Sequence, residues 1–419
     1  MSDILTIAII GTGHRGCGAY GSIIRKSFGD KLKVTAMCDI DPVLLERRRN
    51  EYHVAAENAF TDADAFFAEK RADILFVTTQ DHDHAWMTIK GLELGYDILV
   101  EKPIADKRED CLAMLAAQKK SGKKVFVCHV LRYAPAFLKA SELLDTGRIG
   151  RLVCIEATEQ VWYAHQAHSY VRGNWRRDDV TAPMILAKSC HDLDLLQHYA
   201  KARCKTIASV GDLVYFKPEN APEGAAERCL DCHCVDTCPY SAKRIYLTRD
   251  SKGELPWMTA ILCDGLEINE ENALLRLKTS QYGRCVYHCD NDVVDHEETM
   301  MTFENGVKAV LTMTGFTNYP GRKMTFHGTL GEIQLDEHAD TIRLLVYGEP
   351  AETWKISELS TMTGAEHGGG DYGLVSSLYD MMTGKTDGAT TLEASIESHL
   401  MGIAAEESRR EGGVLKNVH

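Results

Sequence analysis

Short unbroken apolar runs alternate with longer amphipathic stretches through the first 126 residues; beyond them the pattern shifts toward apolar–polar alternation of period two. Buried parallel strands read as continuous apolar runs, whereas antiparallel strands with one covered face alternate. The runs at 4–10, 33–38, 72–78, 97–100 and 124–129 are therefore predicted strands. Segments 42–52, 84–94 and 108–119 lie between them and read as helices. Repeating strand–helix units of this kind predict an α/β fold, a doubly wound parallel sheet over residues 1–126.

Residues 127–419 are predicted to form a second, α+β domain with a large, mostly antiparallel open sheet. A linking helix is expected at 136–144, with a stop at Gly147, and strands at 151–158, 206–214, 297–303, 307–314, 323–327, 332–335 and 342–347. A helix at 392–410 is expected to pack back on the body of the protein. Residues 217–282 read as a long irregular insertion, and inserts of that size are usually functional or metal-stapled.

Composition narrows the function classes. A chain of 419 residues exceeds one typical core, which agrees with two domains. Sixty-one acidic against 47 basic residues give a net charge of -14 with no basic block, which argues against a nucleic-acid partner. No stretch approaches a membrane span in length, and the N-terminus runs into the first strand without a signal-peptide pattern. The 14 cysteines are accordingly expected as reduced thiols in the cytoplasm.

The chemistry begins at the end of the first strand. The run at 4–10 leads into Gly11-Thr12-Gly13-His14-Arg15-Gly16. Glycines are needed where the backbone turns tightly against a pyrophosphate, and the following helix offers its N-terminal amides. The second strand ends at Asp39, where a carboxylate can accept both ribose hydroxyls of an adenosine. The run at 97–100 leads into Glu101-Lys102-Pro103, which puts a lysine at the carboxyl end of a parallel strand, where open α/β sheets place ligands.

With these motifs stand Thr78-Thr79-Gln80 with His84, Arg132-Tyr133-Ala134-Pro135, and Cys190-His191-Asp192-Leu193-Asp194. In this order they resemble the Gfo/Idh/MocA superfamily, the group of glucose–fructose oxidoreductase and inositol dehydrogenase. The resemblance implies an N-terminal Rossmann domain, an open sheet whose free face forms a homodimer or homotetramer interface, and NAD as cofactor. It implies cofactor contacts from Gly11, Gly13, His14, Arg15, Gly16, Asp39, Thr79, His84, Glu101 and Lys102. It also implies catalytic roles for Lys102, which deprotonates or orients a sugar hydroxyl, and for His191 as proton donor or acceptor. The chain departs from the family where an aspartate is usual, at Ala187, which is followed by Lys188. A cation there is expected near Lys102 and the substrate.

Segment 165–177 is dense in polar, aromatic and cationic side chains, as carbohydrate pockets are. His168, Arg172, Asn174 and Trp175 are the substrate candidates it offers, with His129, Tyr163, Lys188 and His191 alongside; Tyr282, Arg284 and His367 are lesser ones. Cys229, Cys232, Cys234 and Cys238 fall within ten residues and match tetrahedral zinc, ahead of an iron–sulfur cluster, with Cys285, His288 or Cys289 able to replace a local ligand. The expected activity is hydride transfer between a sugar or polyol carbinol carbon and NAD. The alternative is an NAD-dependent glycosidase that oxidises a sugar hydroxyl, eliminates the aglycone, adds water and reduces again. A non-catalytic binding protein on the same fold is the third reading, opposed by Lys102 and His191 together.

Overall fold

A computed structural model describes residues 4–359 and 366–419. Its first sheet has six parallel strands: β1 (Leu5–Ile10), β2 (Leu32–Cys38), β3 (Ala59–Phe60), β4 (Ile74–Val77), β5 (Asp97–Val100) and β6 (Val125–Val127). Their order is β3-β2-β1-β4-β5-β6. β4 has no exposed side chain, because helices cover both faces of the sheet, and this is why it reads as a bare apolar run. The two-residue edge strand β3 is too short to leave a periodic signal. Strand order reverses between β1 and β4, so the loops leaving their carboxyl ends diverge and open a crevice.

The second sheet has nine strands: β7 (Leu152–Gln160), β8 (Cys204–Asp212), β9 (His296–Phe303), β10 (Lys308–Thr314), β11 (Gly321–Gly328), β12 (Gly331–Asp336), β13 (Thr341–Val346), β14 (Glu352–Lys355) and β15 (Lys416–Asn417). They run in the order β14-β13-β12-β11-β7-β10-β9-β8-β15 and pair antiparallel except β7 with β10. Burial alternates along β9 and β11, and the buried side chains join one continuous core with the first sheet. The C-terminal helix Leu392–Arg410 does pack back on the body, against β8 and the helix Arg108–Ser121. Its His399 accepts the Ile104 amide at Nε2 (3.0 Å), pinning the loop that follows Lys102.

Three readings change. The insertion holds the helices Ala242–Leu247, Trp257–Leu262 and Glu270–Thr279, and residues 163–172 form helical turns instead of a loop. The helix Gly370–Met382 starts where the sequence shows only a glycine-rich turn. Short helices hidden between turn residues carry too few periods to be read from hydrophobic spacing.

Candidate active site

The glycine turn is built for a close ligand. Gly11 has φ +88°, and a Cβ there would lie 2.4 Å from the Thr78 carbonyl oxygen. A Cβ on Gly16 would meet the Gly11 carbonyl at the same distance, so turn, β4 loop and helix are locked together. Around Gly13 the space is open: a Cβ would meet nothing within 4 Å. The His14–Gly21 helix therefore presents a bare backbone cradle at its N-terminus, as a dinucleotide pyrophosphate needs. Asp39 is fixed at the rim by the Thr12 amide (2.7 Å) and hydroxyl (2.8 Å), and its other oxygen accepts the Asp41 amide.

Several expected cofactor contacts turn out to hold the crevice together. Arg15 donates to Glu101 (2.8 Å) and Asp371 (2.7 Å), and Asp371 also pairs with His367 (3.1 Å). Burial alone would raise the Glu101 carboxyl, but Arg15 and Lys102 hold it below the usual carboxylate range. Its second oxygen accepts the Lys102 amide (3.0 Å), orienting the lysine. His84 is buried, with Nδ1 2.7 Å from the Pro103 carbonyl and Nε2 3.2 Å from that of Thr79. It clamps the two crevice loops to each other. Thr79 is half-buried at the crevice, its hydroxyl on the Met87 sulfur, and His14 is exposed at the helix start.

Lys102 reaches across to the second domain, where its Nζ donates to the Ala187 carbonyl (2.7 Å). The position where the family has an aspartate thus still supplies an oxygen, from the backbone. His191, at the first turn of the helix Cys190–Ala200, is nearly buried, with Nδ1 lacking a partner. Burial, then the Lys102 charge, holds its imidazole well below its ordinary pKa, so it is a neutral base at pH 7. Rings of His129 and His367 flank it at 6.1 Å. Lys188 is paired with buried Glu159 (3.1 Å), which also binds Arg322 (2.6 Å), and Arg322 reaches Asp192 (2.8 Å).

The other substrate candidates separate. Trp175 reaches the crevice, its Nε1 3.4 Å from an Asp81 oxygen. His129 sits behind His191, 1% exposed, against His399 and 3.7 Å from Asp194, so it is walled off from a substrate. His168 points into the insertion, on the Tyr246 hydroxyl (2.8 Å) and stacked on Tyr282. Arg172 is fully buried there, and Asn174 is exposed on Gln281. Tyr163 lines a separate surface hollow of about 280 Å³ with Tyr240 and Arg244. The helical twist of 163–172 explains the split: it turns Ala164, Ala167 and Val171 into the insertion core. Two groups were missed. Burial, then the charges of Lys188, His168, Lys102 and His367, holds the His165 ring well below its ordinary value. Asp81 is 4% exposed with Oδ2 unpartnered, and burial raises its carboxyl against the opposing pull of His84 and Lys102. Only the position of Asp81 two residues beyond Thr79 could have drawn attention to it.

Comparison with known proteins agrees with this fold. Residues 5–129 match the family model described as oxidoreductase family, NAD-binding Rossmann fold. The chain is 24% identical over 413 residues to the putative oxidoreductase YteT of Bacillus subtilis, covering 92% of this chain and 93% of that protein. Residues 5–129 therefore carry the NAD-binding Rossmann domain of the Gfo/Idh/MocA oxidoreductase family. A 2,7-anhydro-N-acetylneuraminate hydratase of Escherichia coli is 26% identical over 208 residues, 48% of this chain and 53% of that protein. In fold, levoglucosan dehydrogenase, solved with NADH and L-sorbose, matches with TM-score 0.72 at 16% identity, covering 100% of this chain and 99% of that one.

In this nucleotide-binding domain, cofactor choice follows from charge. Arg47 is engaged by Asp264, Arg48 by Glu51 and Arg49 by Glu46, so the basic residues of the helix after β2 are committed away from Asp39. A 2′-phosphate beside Asp39 would meet repulsion of about 1 kcal/mol per pair of unit charges 4 Å apart even in bulk water, so NAD should bind at least about tenfold tighter than NADP. Fluorescence titration with both cofactors checks this; equal or tighter NADP binding refutes it.

Proposed function

We propose that this oxidoreductase is a dehydrogenase transferring a hydride between a carbinol carbon of a sugar or polyol and NAD. The observation that carries the reading is Lys102, held on the Ala187 carbonyl (2.7 Å) beside a neutral, nearly buried His191 at the carboxyl edge of the parallel sheet. A bound nicotinamide supplies the hydride acceptor, and the carbinol carbon becomes a carbonyl. The Lys102 ammonium fixes the substrate hydroxyl, and His191 takes its proton. Asp81 supplies the carboxylate that Ala187 lacks, next to Lys102, with Trp175 and His165 flanking the sugar. Lys188 is neutralised by Glu159, so it shapes the pocket more than it drives chemistry.

Placement in a reducing cytoplasm is supported by 14 free cysteines among the described residues. No helix among the described residues is long and apolar enough to cross a membrane. The outer face of the second sheet, where Val310 pairs with Met300 and both are exposed, is the surface a second copy would cover.

The redox-neutral glycosidase is favoured by one observation, the altered carboxylate at Ala187, and by the hydratase relative. The two readings part in one experiment. The protein is incubated with NAD and panels of sugars and aryl glycosides, following both 340 nm absorbance and aglycone release. Net NADH with a free sugar or polyol supports the dehydrogenase, whereas aglycone release with no net NADH overturns it.

A further inference from the structure

The insertion between β8 and β9 has its own hydrophobic core, built on Ile245, Tyr246, Met258, Leu262, Leu277 and Val286 and separate from that of the two sheets. A core this small for its length is commonly completed by a staple. The chain folds cysteines together at its edge. Cys229, Cys232 and Cys238 follow one another through tight turns, with the Cys232 amide on the Cys229 carbonyl (3.2 Å) and the Cys238 amide on that of Cys234 (2.8 Å). Cys285 arrives from the far end of the insertion. Arg228 and Arg284 form an antiparallel bridge, and the Cys285 amide donates to the Glu227 carbonyl (2.9 Å). Cys229, Cys232, Cys234, Cys238 and Cys285 line one cavity of about 20 Å³. That is room for a single atom-sized guest.

Arg172 lines the same cavity and is fully buried. Its Nε donates to the Arg284 carbonyl (2.7 Å), and its Nη2 to the Tyr240 carbonyl (2.8 Å) and the Cys229 sulfur (3.3 Å). Nη1 is buried with no partner, and no carboxylate pairs with this guanidinium among the described residues. A buried cation without a counter-charge is strongly destabilising, and neutral thiols do not offset it. Thiolates do. A guest that holds several cysteines deprotonated in this cavity accounts for both the cavity and the arginine.

We propose that Cys229, Cys232, Cys238 and Cys285 bind one zinc ion, with Arg172 as the counter-charge of the resulting anionic tetrathiolate. Zinc takes such soft ligands tetrahedrally, and a closed set of four marks a structural site. Cys234 stays outside it. Its sulfur lies 3.2 Å from His233 Nε2 on the solvent side. Cys238 and Cys285 line the cavity together with Cys229 and Cys232. Among the described residues the only thiol-bearing group whose donor atoms already lie within 4.8 Å of one another is Cys232, His233 and Cys234, which leaves Cys229 and Arg172 without a counterpart; the four proposed thiols line the cavity and close to ligand distance only around the ion. Through Arg172 the ion anchors the turn Gln166–Arg172, whose neighbours His165 and Trp175 flank the crevice.

The test uses full-length protein produced with both zinc and iron in the medium and purified without chelator. Elemental analysis should give about one zinc per chain. Titration of the wild type with an organomercurial, in the presence of a chromogenic zinc dye, should release that zinc in step with the loss of about four thiols. Cys234→Ser should keep its zinc, whereas Cys285→Ser should retain about a tenth or less. If Cys285→Ser fails to fold, the wild-type titration and Cys234→Ser still decide. Absence of zinc, iron with visible absorbance, or loss of zinc in Cys234→Ser overturns the assignment.

Discussion

Replacing Lys102 by Met will lower kcat by about 10³-fold or more while leaving the NAD dissociation constant within a factor of about three. Methionine keeps much of the aliphatic stem but removes the group that grips the Ala187 carbonyl and would grip the substrate hydroxyl. The cofactor cradle does not depend on it: Gly11, Gly16 and Asp39 are fixed by Thr12, Thr78 and the β2 end. The fold should survive, because Glu101 keeps its bonds to Arg15 and Tyr20. Stopped assays with the best substrate, paired with NAD titration, separate the two effects. A variant keeping more than about a tenth of wild-type kcat would remove Lys102 from the chemistry. His191→Ala should fall less far, by about 10²-fold, since Asp81 and water can carry part of the proton traffic.

The first sheet was legible because it is buried on both faces, so each strand is an apolar run and each turn carries its glycine or acid. The glycine turn was legible from local spacing, and Lys102 from its place at the end of a parallel strand, with its role taken from the family resemblance. The rest of the crevice did not, because its residues converge from distant segments. Asp371, which anchors Arg15, lies 356 residues along the chain from it. His168 and Arg172 look like sugar ligands in sequence, yet a helical turn rotates them into the insertion. Arg172 is buried there against backbone carbonyls and a thiol, a partner set that residue type alone does not suggest. Cys285 is one of three distant substitutes the sequence offers, and what brings it to Cys229 is a backbone bridge across more than fifty residues.

Acidification from pH 7.5 to 5.5 will cost this protein a large part of its stability. Burial lowers four histidines from 6.5, His129 and His198 to about 4 and His168 and His399 to about 3. His165 and His191 shift in the same direction. The unfolded chain binds protons at these rings near pH 6.5, whereas the folded chain does not until about pH 4 or below. Stability from these groups is therefore fully present above pH 6.5 and is lost as pH falls toward 4. Buried carboxyls work the other way: Glu297, raised to about 7, and Asp192, raised by burial against the pull of Arg322, bind protons in the folded state that the unfolded chain releases. Six imidazoles against these carboxyls leave a net uptake of roughly two protons or more on unfolding near pH 5.5, a slope of about 3 kcal/mol per pH unit. Set against a typical total of roughly 5–15 kcal/mol, that shifts the urea midpoint visibly within a single pH unit. Urea unfolding followed by tryptophan fluorescence at pH 7.5, 6.5 and 5.5 measures it. A midpoint that stays constant over that range would mean the imidazoles are hydrated or paired in the folded protein, and with them would go the reading of His191 as a neutral base.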